Sequence, residues 1–191
     1  MLNTLQRHLH ALKTARRMTL GLLDGFTGAA WLHQPIPTGQ HALWIVGHLA
    51  LADDWGLLSV GRPPRQLAPY DAFFSSGGGE SDQGEGSGES SGESGRTAST
   101  ATMPAAPIIP DPAAYPPIEE VLHNFHQANE RFLAALALVT EHDLARPTSG
   151  PISDFAPDLG TLLSSHIWHE GFHTGQLALI RRSLGMGIRF G

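Results

Sequence analysis

Three histidines near the C-terminus, His166, His169 and His173, fall on one face of a predicted helix. Between residues 159 and 184, apolar or histidine side chains recur three and four positions apart, which is the pattern of a buried helical stripe. A buried imidazole without partners costs roughly 1–3 kcal/mol, so three on one apolar stripe need a common explanation. A metal ion supplies one, because His169 and His173 stand about 40° apart around the helix and can both reach it.

One helix can offer little more than two ligands, so a third should come from another segment. We expect His48 to supply it, because His48 lies in the apolar stretch 44–50, where a solvent-facing residue would be out of place. Three neutral imidazole nitrogens suit Zn²⁺ or Ni²⁺, with Fe²⁺ as an alternative, and leave a position open for a substrate. The predicted metal ligands are therefore His48, His169 and His173.

Five other polar residues could complete or support this set. His166 is an alternative ligand, although its turn of the helix can place it below the site. Gln176 could orient a ligand histidine or reach only the rim, and Asp53 or Asp54 could orient one, with at least one of the two aspartates expected on the solvated surface. Glu170 lies about 100° around the helix from the preceding residue, so we expect it to orient a neighbour or to face solvent. Each histidine also has a simpler interpretation as a hydrogen-bonded core residue.

Residues 169–173 also match His-Glu-x-x-His, the motif of zinc proteases. The common versions need a third ligand downstream, but position 179 is Leu and no Asp, Glu or His follows His173. The chain also has no predicted strand that could hold an extended peptide. The sequence context therefore disfavours a protease.

Composition narrows the chemistry further. The absence of cysteine excludes a thiolate metal site and a cysteine nucleophile, so any thiol must be a co-substrate. Four of the six net negative charges come from one low-complexity stretch, and the nearly neutral remainder has no basic face for nucleic acid. That stretch contains Glu80, Asp82, Glu85, Glu89, Glu93 and Arg96. No apolar run approaches the roughly 18 residues of a membrane span, and we expect a soluble, cytoplasmic protein.

Four helices are predicted to position these residues, over residues 3–30, from Gly39 or Gln40 to Val60, from after Pro117 to Val139, and over 159–184. The predicted buried stripe of the second helix comprises His41, Ile45, His48, Ala52 and Trp55. Residues 75–116 are rich first in Ser, Gly and Glu and then in Pro, and are predicted to be a disordered insert that becomes extended. No stretch alternates with period two. The chain is thus predicted to be a single domain, 1–191, of all-α class, folded as a four-helix bundle with a long insert.

The chain resembles the DinB/YfiT-like superfamily of small metal-binding four-helix bundles. The resemblance rests on residues 44–50, 144–147 and 169–185. That family carries a histidine in the second helix and H-x-x-x-H followed by x-G-Q in the last, a pattern met here by His48, His169, His173 and Gln176. The resemblance implies a divalent metal, often zinc or nickel, and frequently a homodimer.

The resemblance implies less about the reaction, since its characterised members include thiol-dependent S-transferases and a thiol-dependent isomerase. Because the chain has no cysteine, we expect a metal-activated low-molecular-weight thiol to attack a small electrophile at the mouth of the bundle. The alternatives are a non-catalytic metal-binding or stress-related bundle and, more remotely, a metal-dependent hydrolase.

Overall fold

A computed structural model of the chain describes residues 2–61, 65–75, 108–148 and 150–188. Within these ranges there is no strand, only one isolated bridge, and the structure consists of α-helices joined by loops and 3₁₀ turns. The helices are α1 Thr4–Leu23, α2 Ala42–Ser59, α3 Asp71–Phe74, α4 Ile118–Leu136 and α5 Leu159–Ser183. The predicted all-α class is confirmed, with four long helices and the short α3. None of the described helices has both the length and the apolar character needed to cross a membrane.

Helix α1 is shorter than predicted. Asn3 caps it, because the Asn3 side chain accepts a hydrogen bond from the Gln6 N–H at 2.8 Å while the Gln6 side chain accepts one from the Asn3 N–H at 3.0 Å. The prediction of one helix to residue 30 is wrong, since Gly25 adopts a left-handed φ of 81° and the helix has already ended at Leu23. A 3₁₀ turn, Gly28–Leu32, follows.

Helix α2 begins at Ala42, two or three residues later than predicted. The Nδ1 atom of His41 accepts a hydrogen bond from the Trp44 N–H at 3.1 Å and so acts as the helix cap. Nearly every side of α2 is buried, because the helix packs against both α4 and α5. The predicted stripe is wrong at Trp55, which is 51% exposed and lies under the Arg65 guanidinium at 3.7 Å.

Helices α4 and α5 agree closely with the predicted third and fourth helices. Helix α4 ends three residues before the predicted Val139. Asp158 caps α5, since its Oδ1 accepts a hydrogen bond from the Thr161 N–H at 2.7 Å. Gly185, with φ of 70°, follows the C-terminal end of α5.

The core consists of two apolar clusters, one toward each end of the bundle. One contains Phe74, Phe125 and Leu177, and the other contains Phe132 and Leu159. Helix α1 packs on α5, and α2 packs on α4. Between the two clusters, each long helix contributes polar or histidine side chains to the interior, and these form the layer that holds the candidate site.

Most of the predicted insert 75–116, namely residues 76–107, lies outside the described residues. The C-terminal part of the segment is not extended throughout, because Pro112–Ala114 forms a 3₁₀ turn. Tyr115 stacks on Phe74 with ring centroids 5.6 Å apart, and the Ile109 carbonyl lies 3.3 Å from Nε2 of His41. This end of the segment therefore packs against the helical core.

Candidate metal centre

The three predicted ligand histidines come together in the structure. His48 lies in the N-terminal half of α2, and His169 and His173 lie one turn apart on α5. The Nε2 atom of His169 is 3.0 Å from Nε2 of His48 and 3.0 Å from Nε2 of His173. All three nitrogens lie within 4.8 Å of one another, so one ion could contact them all.

The outer nitrogens of two of these rings are held by hydrogen-bond acceptors. Nδ1 of His48 donates to the Phe74 carbonyl oxygen at 2.8 Å, and Nδ1 of His173 donates to Oε1 of Gln176 at 2.6 Å. Nε2 of Gln176 donates in turn to Oε1 of Gln40 at 3.2 Å, which keeps the Gln176 oxygen toward His173. Because a neutral imidazole carries one N–H, the Nε2 atoms of His48 and His173 carry lone pairs.

The lone pairs of His48 and His173 both face Nε2 of His169, and there are too few N–H groups to form both hydrogen bonds. A single Nε2–H on His169 can point along only one of its two 3.0 Å contacts. Burial, reinforced by the neighbouring histidines, lowers the pKa of His169 to about 3, and burial lowers the pKa of His173 to about 4. The rings are therefore neutral near pH 7, and this convergence of neutral nitrogen donors fits a divalent cation.

Aromatic neighbours fix the orientation of the rings. Trp44 stacks on His48 with centroids 4.7 Å apart and planes 11° apart, and Phe172 meets His173 edge-on at 5.2 Å. Sequence reasoning missed Trp44 and the Phe74 carbonyl as supports of the site. Trp44 could have been found, because it stands four residues before His48 on the same helical face, whereas nothing in the sequence brings Phe74 to it.

The two other polar candidates on the same face of α5 have different contacts. His166 lies outside the convergent set, with its Nε2 on the Ala52 carbonyl at 3.1 Å and its ring 4.8 Å from that of Phe132. Gln176 contacts a ligand histidine directly, as described above.

The three acidic residues do not contact the histidine cluster through any of their described hydrogen bonds. Asp53 and Glu170 both bind Arg16 at 2.9 Å, and Asp54 binds Arg131 at 3.1 Å. The expectation that at least one of the two aspartates lies on the solvated surface is wrong, and of the two alternatives for Glu170 the solvent-facing one is not met, since all three residues are at most 6% exposed. Arg16 on α1 neutralises Asp53 and Glu170 inside the bundle, and Arg65 and Arg131 neutralise Asp54.

Residues 11–177 match the family model of the DinB superfamily. The chain belongs to the DinB superfamily. The match includes all three residues of the histidine cluster, and it confirms the resemblance that the sequence motifs indicated. A comparison with curated proteins finds no match to this DinB chain. The identity of the metal stays a prediction, and so do the thiol co-substrate and the homodimer.

Two cavities reach the histidine cluster. The larger, of about 440 Å³, includes His169 in its wall, and the smaller, of about 200 Å³, includes His48. Ala52 and Trp55 line both cavities and stand between them. The cluster can thus be approached from two directions, at two different histidines.

Proposed function

We propose that this DinB protein is a divalent-metal-dependent enzyme that transfers a low-molecular-weight thiol to a small electrophilic substrate. The observation that carries the proposal is the convergence of three neutral imidazole nitrogens beside two cavities. His48, His169 and His173 would hold Zn²⁺ or Ni²⁺, with Fe²⁺ as an alternative. A cation held there would lower the pKa of a thiol, whose ordinary value is about 8.5, and so supply a thiolate near pH 7.

The two cavities match a reaction with two reactants. One reactant can enter beside His169 while the other enters beside His48, and the two meet at the histidine cluster. In a substitution, the thiol sulfur forms a bond to the electrophilic carbon as the leaving group departs with its electron pair, and the proton of the thiol passes to solvent. The protein's part is to hold the two reactants in contact and to limit the access of water.

The surroundings favour thiol transfer over hydrolysis. Neither cavity has an Asp or Glu among the described residues of its wall. Of the acidic candidates from the sequence, Asp53 and Glu170 are held by Arg16, and Asp54 is held by Arg65 and Arg131. A hydrolase that relies on a carboxylate base would lack that base here, whereas a thiol ionises close enough to neutral pH to need none.

A second candidate function is a non-catalytic metal-binding bundle, and one observation favours it. The ligand histidines come from two helices, so a bound ion would cross-link α2 to α5 and stabilise the fold. This alternative predicts a large fall in Tm when the metal is removed and no effect of thiols on the site.

The experiment starts from protein purified without a histidine tag, in the wild type and in His48→Ala, His173→Ala and the exposed control His126→Ala. We expect about one equivalent of divalent metal in the wild type and the control and none in the other two variants. The Co²⁺-loaded protein is then titrated with a panel of thiols, and consumption of chlorodinitrobenzene is followed as chloride release. Co²⁺ bands that respond to no thiol, together with no metal-dependent turnover, would reject the transferase; a large loss of Tm on chelation would then support the structural role.

A further inference from the structure

The larger cavity beside the histidine cluster has an almost entirely apolar wall. Its volume of about 440 Å³ lies within the range of roughly 300–1,000 Å³ that holds small-molecule ligands. It lies between α2 and α5 and is closed on one side by the loop before α5. Its apolar lining includes Ala52, Trp55, Leu58, Ile152, Phe155 and Leu162.

The wall of this cavity contains no carboxylate, ammonium or guanidinium group among the described residues. Among the described residues that line the cavity, the polar ones are two serines and two histidines, and none is Lys, Arg, Asp or Glu. Ser165 already donates to the Thr161 carbonyl at 2.9 Å, and His166 uses Nε2 on the Ala52 carbonyl at 3.1 Å. In the metal-free protein, a carboxylate or phosphate in this space would lose its hydration without gaining a Lys or Arg partner from the wall, at a cost of several kcal/mol.

The mouth of the cavity is aromatic and exposed. Trp55 and Phe155 line the cavity and are 51% and 61% exposed. Trp168, 62% exposed, lines an adjoining cavity that shares Phe155 and Ser165 with the first. Large apolar side chains grouped at an opening are typical of a site where an apolar ligand enters.

We propose that this cavity binds an uncharged, apolar small molecule, of the size of one or two fused rings, as the electrophilic substrate beside His169. The inference rests on the proposed transferase function and names its substrate class. With the electrophile in the larger cavity, the smaller cavity at His48 is left for the thiol co-substrate. The apolar wall favours uncharged ligands over charged ones. The position of the histidine cluster determines which part of a bound ligand can react.

Two fluorescent probes with the same ring system test this selection. N-phenyl-1-naphthylamine is uncharged, and 8-anilinonaphthalene-1-sulfonate is the same molecule with an anionic group. We expect the metal-free protein to bind the neutral probe at least about tenfold more tightly, since a tenfold ratio needs only 1.4 kcal/mol of the cost of burying the sulfonate.

Two serines on α5 provide a matched pair of variants. Ser164 and Ser165 each donate to the carbonyl four residues earlier, at 3.1 Å and 2.9 Å. Ser165 lines the larger cavity, whereas Ser164 lines only the adjoining cavity that contains Trp168. Ser165→Leu fills the space and should weaken the neutral probe at least about tenfold, whereas Ser164→Leu should leave it unchanged. Ser165→Lys should reverse the preference toward the anionic probe, because it places a cation in the wall.

The outcomes separate this inference from the proposed function. A shift of the Co²⁺ absorption bands when the neutral probe binds supports both this inference and the proposed function. Equal or tighter binding of the anionic probe, or equal effects of the two leucine variants, would overturn the inference while Co²⁺ uptake leaves the proposed function standing. If the neutral probe binds but the wild type takes up no Co²⁺, the proposed function fails and the cavity's role as a substrate site fails with it.

Discussion

Two polar assemblies lie in the interior of the bundle and use the same pair of helices in opposite ways. In the first, His48 of α2 meets His169 and His173 of α5. In the second, Asp53 of α2 and Glu170 of α5 meet around the guanidinium of Arg16. His169 and Glu170 are sequence neighbours, yet they belong to different assemblies because they lie about 100° apart around the helix.

The ion-pair assembly partners its charges internally. Arg16 donates to both Glu170 oxygens and to Asp53 at 2.9 Å each, and Thr19 and Asn129 donate to the same two carboxylates at 2.6 and 3.1 Å. These residues come from all four long helices. The assembly therefore sets how the helices lie against one another.

The histidine assembly, in contrast, leaves nitrogen lone pairs facing one another and opens onto two cavities. The outer nitrogens of His48 and His173 are hydrogen-bonded, and the inner nitrogens of the cluster lack sufficient protons. Opposite charges that are paired inside the bundle form a structural element, even though Nη1 of Arg16 has no hydrogen-bond partner. Nitrogen donors that converge without enough protons between them instead indicate a ligand. The following predictions test this distinction, beginning with the largest effect.

Removing one inner nitrogen should abolish metal binding. His169→Ala leaves two nitrogens, so bound metal should fall from about one equivalent to none, measured by mass spectrometry after equilibration with Zn²⁺ or Ni²⁺. His166→Ala, on the same helical face but outside the convergent set, should retain the metal. Loss of metal from both variants would contradict the ligand set.

Breaking the ion-pair assembly should reduce stability without reducing metal binding. Arg16→Met leaves two buried carboxylates without their cation, which should lower the free energy of unfolding by about 3–5 kcal/mol in a denaturant titration. The triple variant that adds Asp53→Asn and Glu170→Gln should recover most of the loss and bind metal normally. A triple variant as unstable as the single one would show that charge compensation is not the cause.

The buried histidine His41, whose two ring nitrogens are both hydrogen-bonded, should affect the pH dependence of stability and not metal binding. His41 is 0% exposed, and burial lowers its pKa from 6.5 to about 4. Between these values the unfolded chain binds more protons, so the stability contribution is complete above pH 6.5 and is lost as the pH falls toward 4, by at most about 3 kcal/mol.

His41→Asn tests this contribution, because Asn also caps helices well and does not titrate. The free energy of unfolding, measured by urea titration, should fall less between pH 6.5 and pH 4.5 in the variant than in the wild type. Metal binding should be unchanged. Parallel losses in the two proteins would mean that His41 does not carry the pH dependence.

Weakening an outer hydrogen bond of the cluster should have the smallest effect. Gln176→Leu removes the acceptor at Nδ1 of His173 and should weaken metal binding by about 10–100-fold in a competition titration. Gln176→Glu keeps an acceptor in the same place and should restore most of the affinity. Equal weakening by both substitutions would argue that the amide nitrogen, which donates to Gln40, matters instead.

The sequence alone determined the local features of this protein. Helical periodicity placed the histidines of α5 on one face, and the apolar surroundings of His48 placed it inside, because the spacing of neighbours along one helix depends on that helix alone. The cap Asp158 and the all-α class follow from equally local signals. The family motif adds the same three histidines, which the DinB match includes.

Only the tertiary structure decided which residues of different helices face one another. Arg16 gives no sign in the sequence that it will pair with Asp53 and Glu170, and Trp55 satisfies the periodicity of a buried stripe yet lies at the mouth of a cavity. His166 fits the stripe as well as His169 does, but contacts the Ala52 carbonyl instead of the cluster. The physical reason is that periodicity defines a face within one helix, whereas the partner across the interface depends on how helices from distant parts of the sequence pack together.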